Sequence, residues 1–246
     1  DSAGRHPNDS GFDPEDIQQY AIDWPMGWWM PLVAAVFSND GGFFNEDGLL
    51  VLDSPEAMEA MQRVADLIYV HNVAPRSASM ESLGMNNTQM IDTGRLAMGI
   101  DGSWALSWIN PSMMSVPIGT GALPKMVKPA TCLQAHFHSV LSTTQHPEEA
   151  WQWVRFLATP FYQEHFAKIG LWTPNQTAML TEEGLKGWIT EGIHPENYAQ
   201  WAADYLPAHG VAVSLPPGWI EANANFIQPA IDALANGEQA VDVFPE

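Results

Sequence analysis

The sequence predicts an α/β fold, on three observations: segments of helical period that open on proline, short apolar runs bounded by glycine and proline, and the interleaving of the two along 246 residues. A chain of that length holds one large or two small domains with a real core. Hydrophobic residues make up 46 %, yet no run of 18 apolar residues occurs, so no segment reads as membrane-spanning. Acidic residues outnumber basic ones 29 to 9, and a formal charge of −20 repels a phosphate backbone; nucleic acid is not an expected partner. Cys132 is the single cysteine, which leaves no internal disulfide and no Cys-x-x-Cys pair, and its neighbours Thr131 and Leu133 make it a buried, inert thiol in a strand.

Residues 1–16, rich in Asp, Asn, Gly, Pro and Ser, read as an exposed loop whose acids do not have calcium-loop spacing. Pro31 then suits the first turn of a helix from about Met30 to Phe37. Asn39–Gly42 is a turn, and Asn45–Gly48 closes a hairpin-like loop onto the run Leu49–Leu52. Ser54 as N-cap, Pro55 at the first helical position and Glu56 near the positive end of the dipole announce a second helix, with Ala57, Met61, Val64, Ala65 and Ile68 on one face. Ser79 to Thr93 reads as one helix closed by Gly94, followed by a strand from Arg95 to Asp101. Two further strands are expected in MMSVPIG and ATCLQAHFHSVL, separated by the basic loop LPKMVKP. From His146 onward the pattern is helical: Pro147 and Pro160 open two helices, the second capped by Gly170, and Pro195–Tyr205 and Pro217–Ala235 give two more. Two glycosylation sequons, at Asn86 and Asn175, carry no weight without a secretory context.

Candidate binding residues cluster where aromatic rings meet turns. In RLAMGIDGSWALSW, Gly102 and Ser103 form a turn at the end of the strand, and Trp104 stands where ligands sit in open α/β folds. Trp24, Trp28 and Trp29 lie within six residues at a helix start, made irregular by Pro25 and Gly27. Trp219 in the first turn of the last long helix has Asn223 one turn further along the same face. Each ring has core packing as its equal alternative in a chain with 11 tryptophans. His136 and His138 share one side of a strand, but without a third ligand they read as cleft or edge histidines rather than a metal pair. No G-x-S-x-G, P-loop, H-E-x-x-H, G-x-G-x-x-G or EF-hand loop is present. Rings with small polar side chains at turns have the chemistry of stacking on sugar faces and bonding hydroxyls.

The succession WWMPLV, NDGGFFNEDG, LDSPEAMEAMQRVADLI, GRLAMGIDGSWAL, GALPK and QHPEEAWQWVRFLATPFYQEHFAKIGLWTP resembles the extracellular solute-binding proteins of bacterial ABC transporters, carbohydrate-type, the class that includes maltose-binding protein. The similarity runs from about Gln18 to Asp242. It implies a two-lobe periplasmic-binding-protein-like fold (class II), of which this chain holds one nearly complete lobe and the helical part of the other. By that comparison residues 1–134 are the main part of the second lobe, 135–212 the helical return to the first, and 213–246 a crossing back. An N-terminal segment of the same protein, matching the first lobe's sheet, is missing. The resemblance places Trp104, Trp28, Trp29, Trp219 and Asn223 at the ligand, and His136 in the strand that reaches the hinge with an undefined role. It implies a non-catalytic receptor with no cofactor and no metal, periplasmic or extracellular and open to lipid anchoring. Its partners would be a carbohydrate and a membrane ABC permease. Two rival readings of the residues stand beside it: a glycoside hydrolase using a carboxylate pair, and an acidic interaction domain whose tryptophans are all core.

Overall fold

The computed structural model describes residues 1–244. In chain order the helices are α1 (Met30–Ser38), α2 (Pro55–Tyr69), α3 (Ser77–Leu83), α4 (Asn87–Asp92), α5 (Pro147–Leu157), α6 (Pro160–Lys168), α7 (Glu182–Leu185), α8 (Tyr198–Gln200), α9 (Leu206–His209), α10 (Trp219–Ala222), α11 (Gln228–Ala235) and α12 (Ala240–Val243). Single 3₁₀ turns cover Ser103–Ser107 and Thr177–Leu180, and π-helical turns cover Trp201–Tyr205 and Asn223–Ile227. The strands are β1 (Thr131–Cys132) and β2 (Gly210–Val211), paired in parallel with Thr131 opposite Gly210. None of the described helices is long and apolar enough to cross a membrane.

The residues divide into two units. Unit 1 comprises Asp1–Ile100, Leu123–Leu133 and His209–Glu246, and unit 2 comprises Asp101–Ala122 and Gln134–Ala208. Unit 1 is built around α1, which buries Leu32, Val33, Ala35 and Val36 against α2. The start of α2 is set as the sequence dictates: Ser54 Oγ accepts the Ala57 N–H at 3.4 Å and Pro55 occupies the first turn. Its apolar stripe, Ala57 to Ile68, is closed from the other side by Ile227, Ile231 and Leu234. Two bonds hold that layer: Tyr69 Oη donates to the Ala235 carbonyl at 2.6 Å, and the Ala240 N–H donates to Gln62 Oε1 at 2.8 Å. The buried Ser38 hydroxyl donates to the Lys128 carbonyl at 2.7 Å and accepts the Met126 N–H at 2.8 Å, which pins the basic loop to the end of α1.

Five expectations are corrected. The helix expected over Ser79–Thr93 is two helices, because Gly84 takes φ +63° and ends α3, while Asn86 and Gln89 form a capping box that starts α4. The strand expected over Arg95–Asp101 is an extended run that pairs with residues 20–23 only at isolated points, Tyr20 with Leu96 and Asp23 with Gly99. MMSVPIG forms no strand; Pro117 withholds an amide and the run has no ladder partner among the described residues. Of ATCLQAHFHSVL only Thr131–Cys132 is strand, since β2 supplies hydrogen bonds there and ends at Val211. The helix expected over Pro195–Tyr205 begins instead at Tyr198 and runs on to His209 through a π-helical turn.

Unit 2 has a small core of six side chains, Leu106, Ala167, Met179, Trp188, Tyr198 and Ala202. Trp188, 1 % exposed, is its centre, with its indole N–H on the Met179 carbonyl at 2.9 Å. His194 stands edge-on to Trp188 at 5.3 Å. Its Nδ1 accepts the Thr190 N–H at 3.0 Å, and it is also bonded to the Ala167 backbone. Burial holds that imidazole below its ordinary pKa, so it stays neutral.

Candidate functional site

In unit 1 the sequence around α1 produces an aromatic corner. Trp24 is the anchor: 5 % exposed, with its N–H on the Pro31 carbonyl at 3.0 Å, it is core and not surface. After the irregular backbone at Pro25 and Gly27, Trp28 and Trp29 differ in burial, Trp29 being packed against the core cluster. Trp28 is 38 % exposed. Trp29 is half-buried, edge-to-face with Phe43 at 5.8 Å and with Trp219 at 4.9 Å. Trp219 in turn stands edge-to-face on Phe44 at 5.7 Å. Gly218, at φ +84°, turns the Pro216–Pro217 loop into α10 and so aims Trp219 at this corner. Gln228 Nε2 donates to the Gly27 carbonyl at 3.0 Å and ties the tryptophan loop to α11.

Trp29 and Trp219, nearly two hundred residues apart in sequence, are therefore one surface, and Asn223 follows Trp219 by one helical turn. The Asn223 Oδ1 is buried with no hydrogen-bond donor, an acceptor of the kind a hydroxyl satisfies. Phe43 and Phe44 belong to the corner as well, and residue reasoning did not single them out. The available signal was the GGFF that follows the Asn39–Gly42 turn, where Asp40 takes φ +63°.

Trp104 lies in unit 2, and its position is fixed locally. Its ring folds back over Gly102, so that a Cβ on Gly102 would fall inside the indole; a glycine two residues before the ring is what permits the approach. The indole side chain and the Gly102 N–H, the latter at 2.7 Å, both hydrogen-bond to the Asp101 carboxylate, and burial nevertheless lifts that carboxyl above its ordinary value. Trp104 is half-buried. His136 is exposed, its ring 4.3 Å from that of Trp172, and His138 is exposed too. Among the described residues no three His, Cys, Asp or Glu side chains are grouped to hold a metal ion. Cys132 is half-buried and its thiol is pushed up to about 11 by burial, which makes it unreactive at neutral pH. A shallow groove of ≈ 500 Å³ elsewhere on unit 1, lined by Leu50, Asp53, Phe226, Pro229 and Phe244, includes none of the predicted binding residues.

Comparison with known proteins agrees with this architecture. The family model for bacterial extracellular solute-binding proteins matches residues 14–164. An arabinooligosaccharide-binding protein of Halalkalibacterium halodurans is 32 % identical over 73 residues, which is 30 % of this chain and 16 % of that protein. An ABC substrate-binding protein from Listeria monocytogenes in complex with cycloalternan superimposes with a TM-score of 0.77 at 16 % identity, covering 95 % of this chain and 57 % of that one. The sugar-binding protein MalE from Xanthomonas citri gives 0.69 at 17 % identity, over 96 % of this chain and 57 % of its own. The fold is thus that of the two-lobe binding proteins, and the chain spans under three-fifths of the length of these two solved structures.

Proposed function

The chain belongs to the bacterial extracellular solute-binding protein family, and from that membership we propose that it is the larger part of a carbohydrate receptor serving an ABC importer. The observation that carries the ligand class is the corner of Trp29, Trp219 and Phe44 with the unpaired Asn223 carbonyl. Flat apolar rings with hydroxyl acceptors beside them suit a saccharide, which has apolar faces and a polar rim. Within unit 1 Trp28 is a further exposed ring, and the relatives named for cycloalternan, arabinooligosaccharide and sugar point to the same class. Each ring contributes about 0.5–1.5 kcal/mol beyond area burial, enough with a few hydroxyl bonds for micromolar capture. The receptor binds its solute and transforms nothing.

The complete receptor, on this reading, carries an upstream segment that finishes the first lobe, with residues 1–134 and 213–246 in the second lobe and 135–212 in the first. It works outside the cytoplasmic membrane, free or held by a lipid, and hands its sugar to a membrane permease. Detergent-phase partition of the natural protein separates the free form from the lipid-held one. Calorimetric titration of the full-length protein with malto- and arabinooligosaccharides tests the ligand class. Saturable heat that Trp219→Ala weakens by about tenfold or more supports it, and no heat with any member of the panel overturns it.

A further inference from the structure

The turn that carries Trp104 is fixed on both sides of the ring, and the group that fixes the ring itself is a carboxylate. Across Ser103–Ser107 the backbone makes a 3₁₀ turn, in which the Ala105 N–H donates to the Gly102 carbonyl at 3.0 Å. Ala105 and Leu106 are buried, and Leu106 belongs to the core of unit 2. The Ser107 hydroxyl donates back to the Trp104 carbonyl at 2.8 Å. The Ser103 side chain bonds to the Tyr198 hydroxyl, which also meets Thr173 Oγ1 at 2.8 Å. With the backbone held, the ring keeps only the rotations about its own side-chain bonds.

Asp101 removes those. Its carboxylate accepts the Trp104 indole N–H and, through Oδ1 at 2.7 Å, the Gly102 N–H. The second bond is local, so the carboxylate is oriented by the turn it precedes. The indole is thereby laid over Gly102, where its Cζ2, Cζ3 and Cη2 fill the place that a side chain on residue 102 would take. Asp101 lies in unit 2 with the ring it holds, and Trp104 is half-buried rather than sealed in the core. An indole offers a ligand an apolar face and one N–H donor. Here the donor is already spent.

We propose that Asp101 is a positioning residue for sugar capture: by taking the indole N–H it locks Trp104 in one orientation and leaves a saccharide the ring surface and no hydrogen bond. The inference rests on the receptor reading given above and on the place at the ligand that the family resemblance implies for Trp104. A ring that is already held loses no side-chain freedom when a sugar stacks on it, so the carboxylate strengthens binding without touching the ligand.

The test is a double-mutant cycle on the natural full-length protein, read by calorimetric titration with malto- and arabinooligosaccharides. Asp101→Leu weakens binding by about fivefold or more, while Asp101→Asn, whose amide oxygen still accepts the indole N–H, stays within about twofold. In a Trp104→Ala background Asp101→Leu changes affinity by less than about twofold, since no ring remains to be held. The second readout is hydrogen exchange of the Trp104 indole N–H without sugar, followed by NMR of the protein labelled with ¹⁵N-tryptophan and assigned by its loss in Trp104→Ala. Exchange is slow in the wild type and in Asp101→Asn, and faster by about tenfold or more in Asp101→Leu. Unchanged affinity or unchanged indole exchange in a folded Asp101→Leu overturns the inference. So does full affinity in Trp104→Ala, or an Asp101→Leu loss that persists in that background, which would make Asp101 a contact or support acting apart from the ring. A wild type that answers no saccharide overturns the receptor reading; faster indole exchange in Asp101→Leu then shows the positioning to stand without it, and unaltered exchange overturns both.

Discussion

Unit 1 and unit 2 treat the same kinds of residues in opposite ways. In unit 1 twenty-two buried side chains from both ends of the sequence form one cluster, and its helix faces are covered on the inward side. In unit 2 six side chains form the core, while Trp151, Trp153 and Phe161 face outward. Both units contain proline-started amphipathic helices, so the contrast does not come from helix-forming tendency. It lies in how much of each apolar helix face is covered among the described residues.

The largest expected effect is core truncation. Phe43→Ala in unit 1 and Trp188→Ala in unit 2 each cost about 3–5 kcal/mol in denaturant unfolding, whereas Phe161→Ala, on the uncovered face, stays within about 0.5 kcal/mol in this chain. A large loss at Phe161 would mean that unit 2 is already covered. The next effect separates the units by pH. His194 is buried and neutral with its pKa below the ordinary value, so the unfolded chain takes up a proton before the folded one does. Stability is complete above pH 6.5 and falls as the pH drops from there towards the folded-state pKa. Exchange protection around Trp188 should fall across that window while α2 of unit 1 holds, and His194→Gln should flatten the response. Equal loss in both units would contradict the assignment.

Gly102→Ala is smaller in stability and sharper in consequence. The added Cβ expels the Trp104 ring from its seat, with an expected cost of about 1–3 kcal/mol and a changed Trp fluorescence spectrum. An unchanged spectrum would show the ring is not held there. The smallest effect concerns Cys132, whose thiol, raised to about 11, should react with a disulfide reagent at pH 8 far more slowly in the folded chain than in urea. Comparable rates would show it unburied.

These contrasts also explain what the sequence revealed. Helices α1, α2, α5 and α6 were legible because each start is written locally, in a proline at the first turn and, for α2 and α6, a hydroxyl cap from Ser54 and Thr159. The break at Gly84 is written in the sequence too, in the Asn86 and Gln89 pair beside it, which spells a capping box. Strand lengths are the least legible, because the apolar pattern of residues 135–141 suits a strand while the ladder with β2 covers only Thr131–Cys132. For the candidate binding rings, the sequence marks Trp28, Trp29, Trp104 and Trp219 as turn aromatics. It did not reveal that Trp29 and Trp219 touch, or that Trp24 of the same cluster is core, since both depend on contacts across long separations.

The central claim is that the Trp29–Trp219 corner meets the face of a sugar. Its most direct test is tryptophan fluorescence of the full-length protein titrated with maltooligosaccharides and arabinooligosaccharides, wild type beside Trp219→Ala and Trp29→Ala. The account predicts a saturable change with a micromolar midpoint in the wild type, weakened by about tenfold or more in each variant while both remain folded. Unaltered affinity in both folded variants, or no response to any saccharide, would contradict it.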